Sequence, residues 1–122
     1  MDITTPGTLS LDELQHIVHE WITTHGVRYF SPLTNMAILA EETGEVARVI
    51  ARIDGEQSAK PGETLDLADE LADVIWVVAA LANQHDINLR EAVMNNLRKK
   101  TIRDKERHRN NPKLSDGRAP QH

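Results

Sequence analysis

The chain has 122 residues, 39% of them hydrophobic, no cysteine, and a formal net charge of −5. That length suffices for one domain around one core, while the missing cysteines exclude disulfides, zinc–thiolate sites and thiol catalysis. The acidic balance argues against broad nucleic-acid binding, which needs phosphate neutralisation, so no stable nucleic-acid binding is expected.

Residues 1–9 read as an N-terminal arm. The opening MDITTPGTLS has neither the basic start nor the apolar centre of a signal peptide. The longest apolar run, residues 74–82, is too short to cross a bilayer. A cytoplasmic protein with no membrane partner is expected.

Ser10-Leu11-Asp12-Glu13 is a capping box that starts a helix. Leu14, Ile17, Val18 and Trp21 follow at helical spacing, and Gly26 is placed to end the helix as a left-handed cap. Ser31-Pro32 opens a second helix, in which Met36, Leu39, Ala40, Ala47, Ile50 and Ile53 form an apolar stripe up to Asp54-Gly55. Residues 54–62 read as a loop. A third helix is expected from Glu63 to Asn83. A fourth begins at Asn88, carries Leu89, Ala92, Val93 and Leu97, then becomes strongly charged. Residues 110–122 read as a flexible tail. With no β alternation of useful length, residues 10–109 are expected to form an all-α four-helix bundle.

On a helical wheel Glu41, Glu42 and Glu45 fall on one face, bracketed by Ile38 and Val49. A solvated face is the ordinary meaning of a charge run, yet solvated faces seldom bracket their charges with Ile and Val. In the third helix Glu63, Asp66, Glu70 and Asp73 recur at intervals of three and four and run on into Val74, Val77 and Leu81. Like charges at this spacing destabilise a helix, and buried unpaired carboxylates cost more. Glu42 with Glu45, and Glu70 with Asp73, offer four hard oxygen donors from two helices, a set suited to Mg²⁺ or Mn²⁺. A di-iron bundle would want Glu-x-x-His on two helices, a pair of motifs this chain lacks.

The residues EETGE followed by DELAD match Glu-Glu-x-x-Glu, a spacer and Glu-x-x-Asp. This resembles the MazG-like nucleotide pyrophosphohydrolases of the all-α NTP pyrophosphatase superfamily. The likeness extends through GVRYFSPLTNMAILAEETGEVARVIARIDGEQ, ELADVIWVVAALANQHDINLREAV and KKTIRDKERH, roughly residues 11 to 114. It implies Mg²⁺-dependent hydrolysis of a nucleoside triphosphate to the monophosphate and pyrophosphate, with Glu42, Glu45, Glu70 and Asp73 as metal ligands. Glu41, at the leading Glu, is implied to hold a second ion or orient the attacking water. Many relatives carry a Lys and then an Asn in the last helix. Here Lys99 or Lys100 supplies the Lys, while Asn95 and Asn96 come before it.

A triphosphate entering an acidic site needs cations to reverse its sign. Lys99, Lys100 and Arg103 are candidates for the leaving pyrophosphate, with Asn96 beside them, and Trp76 for a wall against the base. Each has a bland competitor: core packing for Trp76, and a solvated face for the cations, which alternate with Asp104 and Glu106. Wide apolar surface on short helices, together with the dimers and tetramers of relatives, leads to an expected homo-oligomer. Two other readings stand beside this one. One is a non-catalytic acidic module that binds a basic partner; the other is a metal-dependent hydrolase of another nucleotide.

Overall fold

The computed structural model describes residues 7–115. Residues 1–6 of the expected arm and 116–122 of the expected tail lie outside the described residues. The elements are α1 (Leu11–Thr24), α2 (Pro32–Ile53), α3 (Leu67–Gln84), α4 (Leu89–Arg109) and a single-turn α5 (Pro112–Ser115). No strand occurs among the described residues. The four long helices match the all-α expectation; α5 falls within the segment read as tail.

The local signals explain most helix starts. Ser10 Oγ accepts the Glu13 backbone N–H at 3.0 Å, and the Glu13 carboxylate accepts that of Ser10 at 2.8 Å. Ser31 Oγ accepts the Thr34 N–H, with Pro32 at the first helical position. Two expectations shift. The helix α1 ends on a right-handed His25, and the left-handed residue is Val27 (φ 72°), not Gly26. The helix α3 begins at Leu67 rather than Glu63. Asp66 Oδ1 accepts the Asp69 N–H at 3.1 Å, so Asp66 caps the helix instead of extending its acidic stripe.

The chain forms two compact units, one up to Leu89 and one from Arg90 onward. In the first, Val18 of α1 packs with Ala79 and Ala80 of α3, flanked by Leu14, Ile22, Tyr29, Trp76 and Leu89. The helices α2 and α3 run antiparallel. Near the start of α2 Asn35 Nδ2 donates to Gln84 Oε1 at 2.9 Å, while further along it Arg48 lies 4.0 Å from Glu70. Gln15 ties α1 to the end of α3, donating to Asn83 Oδ1 at 3.0 Å and to the Ile87 carbonyl at 2.8 Å.

The buried side of α2 differs from the apolar stripe seen in the sequence. Asn35 and Val49 are buried, with Ile38, Glu42 and Val46 half-buried. Met36, Ile50 and Ile53 are exposed. The face carrying the carboxylates packs on α3, and most of the apolar stripe faces outward. On α3, Leu71 and Ile75 are likewise exposed.

The second unit is dominated by α4, which buries none of its residues. Its charges alternate in sign, and Arg103 binds Asp104 through Nε at 2.7 Å and Nη2 at 3.2 Å.

Candidate metal centre

Packing α2 against α3 brings carboxylate oxygens of Glu42, Glu70 and Asp73 within 4.8 Å of one another, all three residues half-buried. Glu42 stands one turn after Ile38 and seven residues before Val49, and that apolar stripe turns it inward. Glu70 and Asp73 share the face of α3 that continues into buried Val77.

The electrostatics are those of a site short of positive charge. Burial raises the Glu42 carboxyl above its ordinary value, and the charges of Asp73, Glu70, Glu45 and Glu41 add to the effect. Glu70 is raised in the same way, by burial first and then by Glu45 and Asp73, with Arg48 opposing. Its side chain is 19% exposed. Three hard oxygen donors, partly desolvated and mutually repelling, fit a hard divalent cation. The group contains no nitrogen or sulfur ligand to favour a softer metal.

Glu45 is outside this three-residue group. Arg48 Nε donates to its Oε2 at 2.9 Å, and its side chain is 48% exposed. Glu41, the residue before Glu42, is exposed. Two arginines of α2 that lie outside the acidic motif complete the surroundings. Arg48 Nη1 donates to Glu63 at 2.6 Å and Arg52 Nε donates to its other oxygen at 2.9 Å. Glu63 also accepts the Lys60 N–H at 3.0 Å. That N–H holds its carboxyl below the ordinary value, against the effect of burial and with the help of both arginines. The expected acidic stripe therefore separates into Glu70 and Asp73 in the centre, Glu63 on arginines, and Asp66 at a helix cap. A signal for Arg48 was present in the Glu45-x-x-Arg48 spacing.

Trp76 is half-buried and meets Trp21 edge-to-face, with centroids 5.3 Å apart at 89°. Asn96, Lys99, Lys100 and Arg103 are exposed on α4, in the second unit.

An all-α chain with a carboxylate centre between two antiparallel helices defines a class, and comparison with known proteins gives it a family. The MazG nucleotide pyrophosphohydrolase domain matches residues 30–108. YpjD of Bacillus subtilis strain 168 is 38% identical over 99 residues, covering 80% of this chain and 89% of that protein. YvdC of the same organism is 26% identical over 102 residues, covering 78% and 96%. The crystal structure of YpjD superposes with a TM-score of 0.67 at 36% identity, covering 77% of this chain and 97% of that one. That of the Bacillus-conserved MazG protein, described as a nucleotide pyrophosphohydrolase, gives 0.65 at 31% identity, covering 77% and 91%. The chain belongs to the MazG nucleotide pyrophosphohydrolase family. Members of this family are generally dependent on a divalent metal. Among the described residues no helix is long and apolar enough to cross a membrane.

Proposed function

We propose that this protein hydrolyses a nucleoside triphosphate, ribo- or deoxyribo-, to the monophosphate and pyrophosphate, with Mg²⁺ as its metal and Mn²⁺ as an effective substitute. The observation that carries the reading is the convergence of Glu42, Glu70 and Asp73 from two helices on one half-buried point. Glu45, three residues beyond Glu42, is the fourth ligand once Arg48 releases it.

When bound, the ion supplies positive charge to the phosphate oxygens and makes water a better nucleophile. The protein's own groups do the rest. Glu41, exposed beside the cluster, orients the attacking water and takes its proton. Water adds at the α-phosphorus, and the bond to the bridging oxygen of pyrophosphate breaks in line. Trp76 forms a wall against the base. On α4, Asn96, Lys99 and Lys100 are the side chains proposed to meet phosphate oxygens. Arg103 joins them at the expense of its pair with Asp104.

The outward-facing Met36, Ile50 and Ile53 of α2 and Leu71 and Ile75 of α3 support self-association as a dimer or tetramer. The test of function is a panel of nucleoside triphosphates incubated with Mg²⁺, with monophosphate and pyrophosphate separated by chromatography. Stoichiometric release of both, abolished by chelator, is expected. Release of orthophosphate, or turnover that persists in chelator, overturns the reading.

A further inference from the structure

A cavity of roughly 300 Å³ lies one turn along α2 and α3 from the carboxylates, walled by Trp21, Ile22, Phe30, Ile38, Trp76 and Ala80. Its lining is apolar and aromatic except for Arg28 and Asn35. Asn35 is only 7% exposed and is the buried polar residue of the described core.

A chain of hydrogen bonds fixes how the Asn35 amide is turned. The Phe30 carbonyl can only accept, and Gln84 Nε2 donates to it at 2.6 Å. Gln84 therefore presents Oε1 to Asn35, whose Nδ2 donates to it at 2.9 Å. Asn35 Nδ2 lies 3.5 Å from the same Phe30 carbonyl. Asn35 Oδ1 is left facing away from both partners, and no described residue donates to it. No buried side-chain oxygen or nitrogen among the described residues is sealed off without a partner. The Oδ1 atom is therefore not sealed within the core, and Asn35 is one of the residues that line the cavity.

An acceptor in an apolar cavity is costly unless a ligand supplies a donor. A flat aromatic ring suits the tryptophan walls, and the donor must sit on the ring's edge. We propose that Asn35 is a specificity-determining residue. Its Oδ1 accepts a hydrogen bond from the exocyclic amino group of the bound nucleobase, so cytosine and adenine nucleotides are preferred to their oxo counterparts. Uracil or hypoxanthine would set a carbonyl oxygen against Oδ1 in place of the amino group. The proposal rests on the nucleotide reading above and names its substrate class.

The experiment compares kcat/KM on the full chain with Mg²⁺ for CTP against UTP and ATP against ITP. The amino member of each pair is expected to lead by about tenfold, the scale of one well-made hydrogen bond. Asn35→Leu should remove that ratio, and Asn35→Asp, which keeps an acceptor oxygen, should retain it. Since Asn35 also braces Gln84, the variants need a parallel that requires no mutation. The triphosphate of purine riboside, which lacks only the amino group, should fall behind ATP on the wild-type protein by the same factor. Equal kcat/KM across the pairs overturns the base assignment while leaving hydrolysis standing. Saturation-transfer NMR with cytidine and uridine, which carry no phosphate, gives the converse. A cytidine preference without turnover of any triphosphate would overturn the hydrolysis reading and support the assignment of Asn35.

Discussion

Arg48 holds Glu45 at 2.9 Å, and the same guanidinium reaches Glu63 at 2.6 Å. Of the Glu-x-x-Glu pair, Glu42 thus faces the acidic centre, while Glu45 is neutralised from within its own helix. Arg48 stands where a cation is needed and 4.0 Å from Glu70 as well. In the absence of metal it is the chain's internal counter-ion.

Arg48→Gln is therefore expected to lower the melting temperature of the metal-free protein. The same variant should enlarge the rise on adding Mg²⁺, because Glu45 no longer has to leave an arginine. Thermal melts with and without Mg²⁺ measure both; an unchanged rise would show that Glu45 and the ion do not compete.

Glu42→Gln and Asp73→Asn keep size and one oxygen but lose the charge directed at the metal. Each should reduce turnover by at least about 100-fold, the scale of deleting one preorganised electrostatic contact. Each should also raise the melting temperature of the metal-free protein, since a repelling charge is gone. A variant as active as its parent would remove that carboxylate from the proposed ligand set.

The raised carboxyls give the metal-free protein a signed pH dependence. Glu42 and Glu70 bind protons more tightly folded than unfolded, so their contribution is fully present below the ordinary value of 4.5 and is lost as pH rises through their folded values. Melting temperature should increase as pH falls from neutral toward 4.5, and the increase should shrink in a Glu42→Gln, Glu70→Gln double variant. Glu63 acts in the opposite sense: its stabilisation is lost as pH falls through its lowered folded value. Mg²⁺ affinity should weaken as pH falls through the raised values of Glu42 and Glu70, where protons compete for the same oxygens. Calorimetric titration at several pH values tests this.

Val27 is β-branched, 80% exposed and left-handed. A left-handed L-residue costs about 1–2 kcal/mol, and glycine's extra backbone entropy offsets about 0.5–1 of it. Val27→Gly should stabilise the protein by up to about 1 kcal/mol in urea unfolding. A loss of stability would show that the side chain has a packing role.

Much of this site was legible in the sequence. The carboxylates of α2 were bracketed by Ile38 and Val49, and a bracketed charge must pack against something. The capping chemistry of Ser10 and Ser31 located two helix starts. The errors have local causes. Gly26 has the freedom for a left-handed turn, but the turn falls on its neighbour, because the hydrogen bonds closing α1 still include Gly26. Glu63 fits the acidic period of α3, but two arginines from α2 and a loop N–H hold it outside the helix. No periodicity within one helix encodes that competition between elements distant in sequence. The apolar stripe of α2 was correctly seen and faces away from α3. Hydrophobicity marks what is to be covered, not which surface covers it. If a second copy covers it, Ile50→Glu should yield a monomer by light scattering where the wild type gives a dimer or tetramer.

The cavity and the carboxylates are set apart by backbone alone. Ile38 precedes Glu42 by four residues on α2, and Val77 follows Asp73 by four on antiparallel α3. Both helices thus step in the same direction by about 6 Å at 1.5 Å per residue. Two rigid rods keep one spacing between the centre and the cavity wall, and together they act as a ruler. A ligand engaging both ends must match that span, so lengthening the link between its ring and its phosphates by even one bond would cost contact at one end. The same construction lets the two ends change independently: under the base assignment proposed above, a substitution at position 35 alters which ring is accepted without moving the oxygens at 42, 70 and 73.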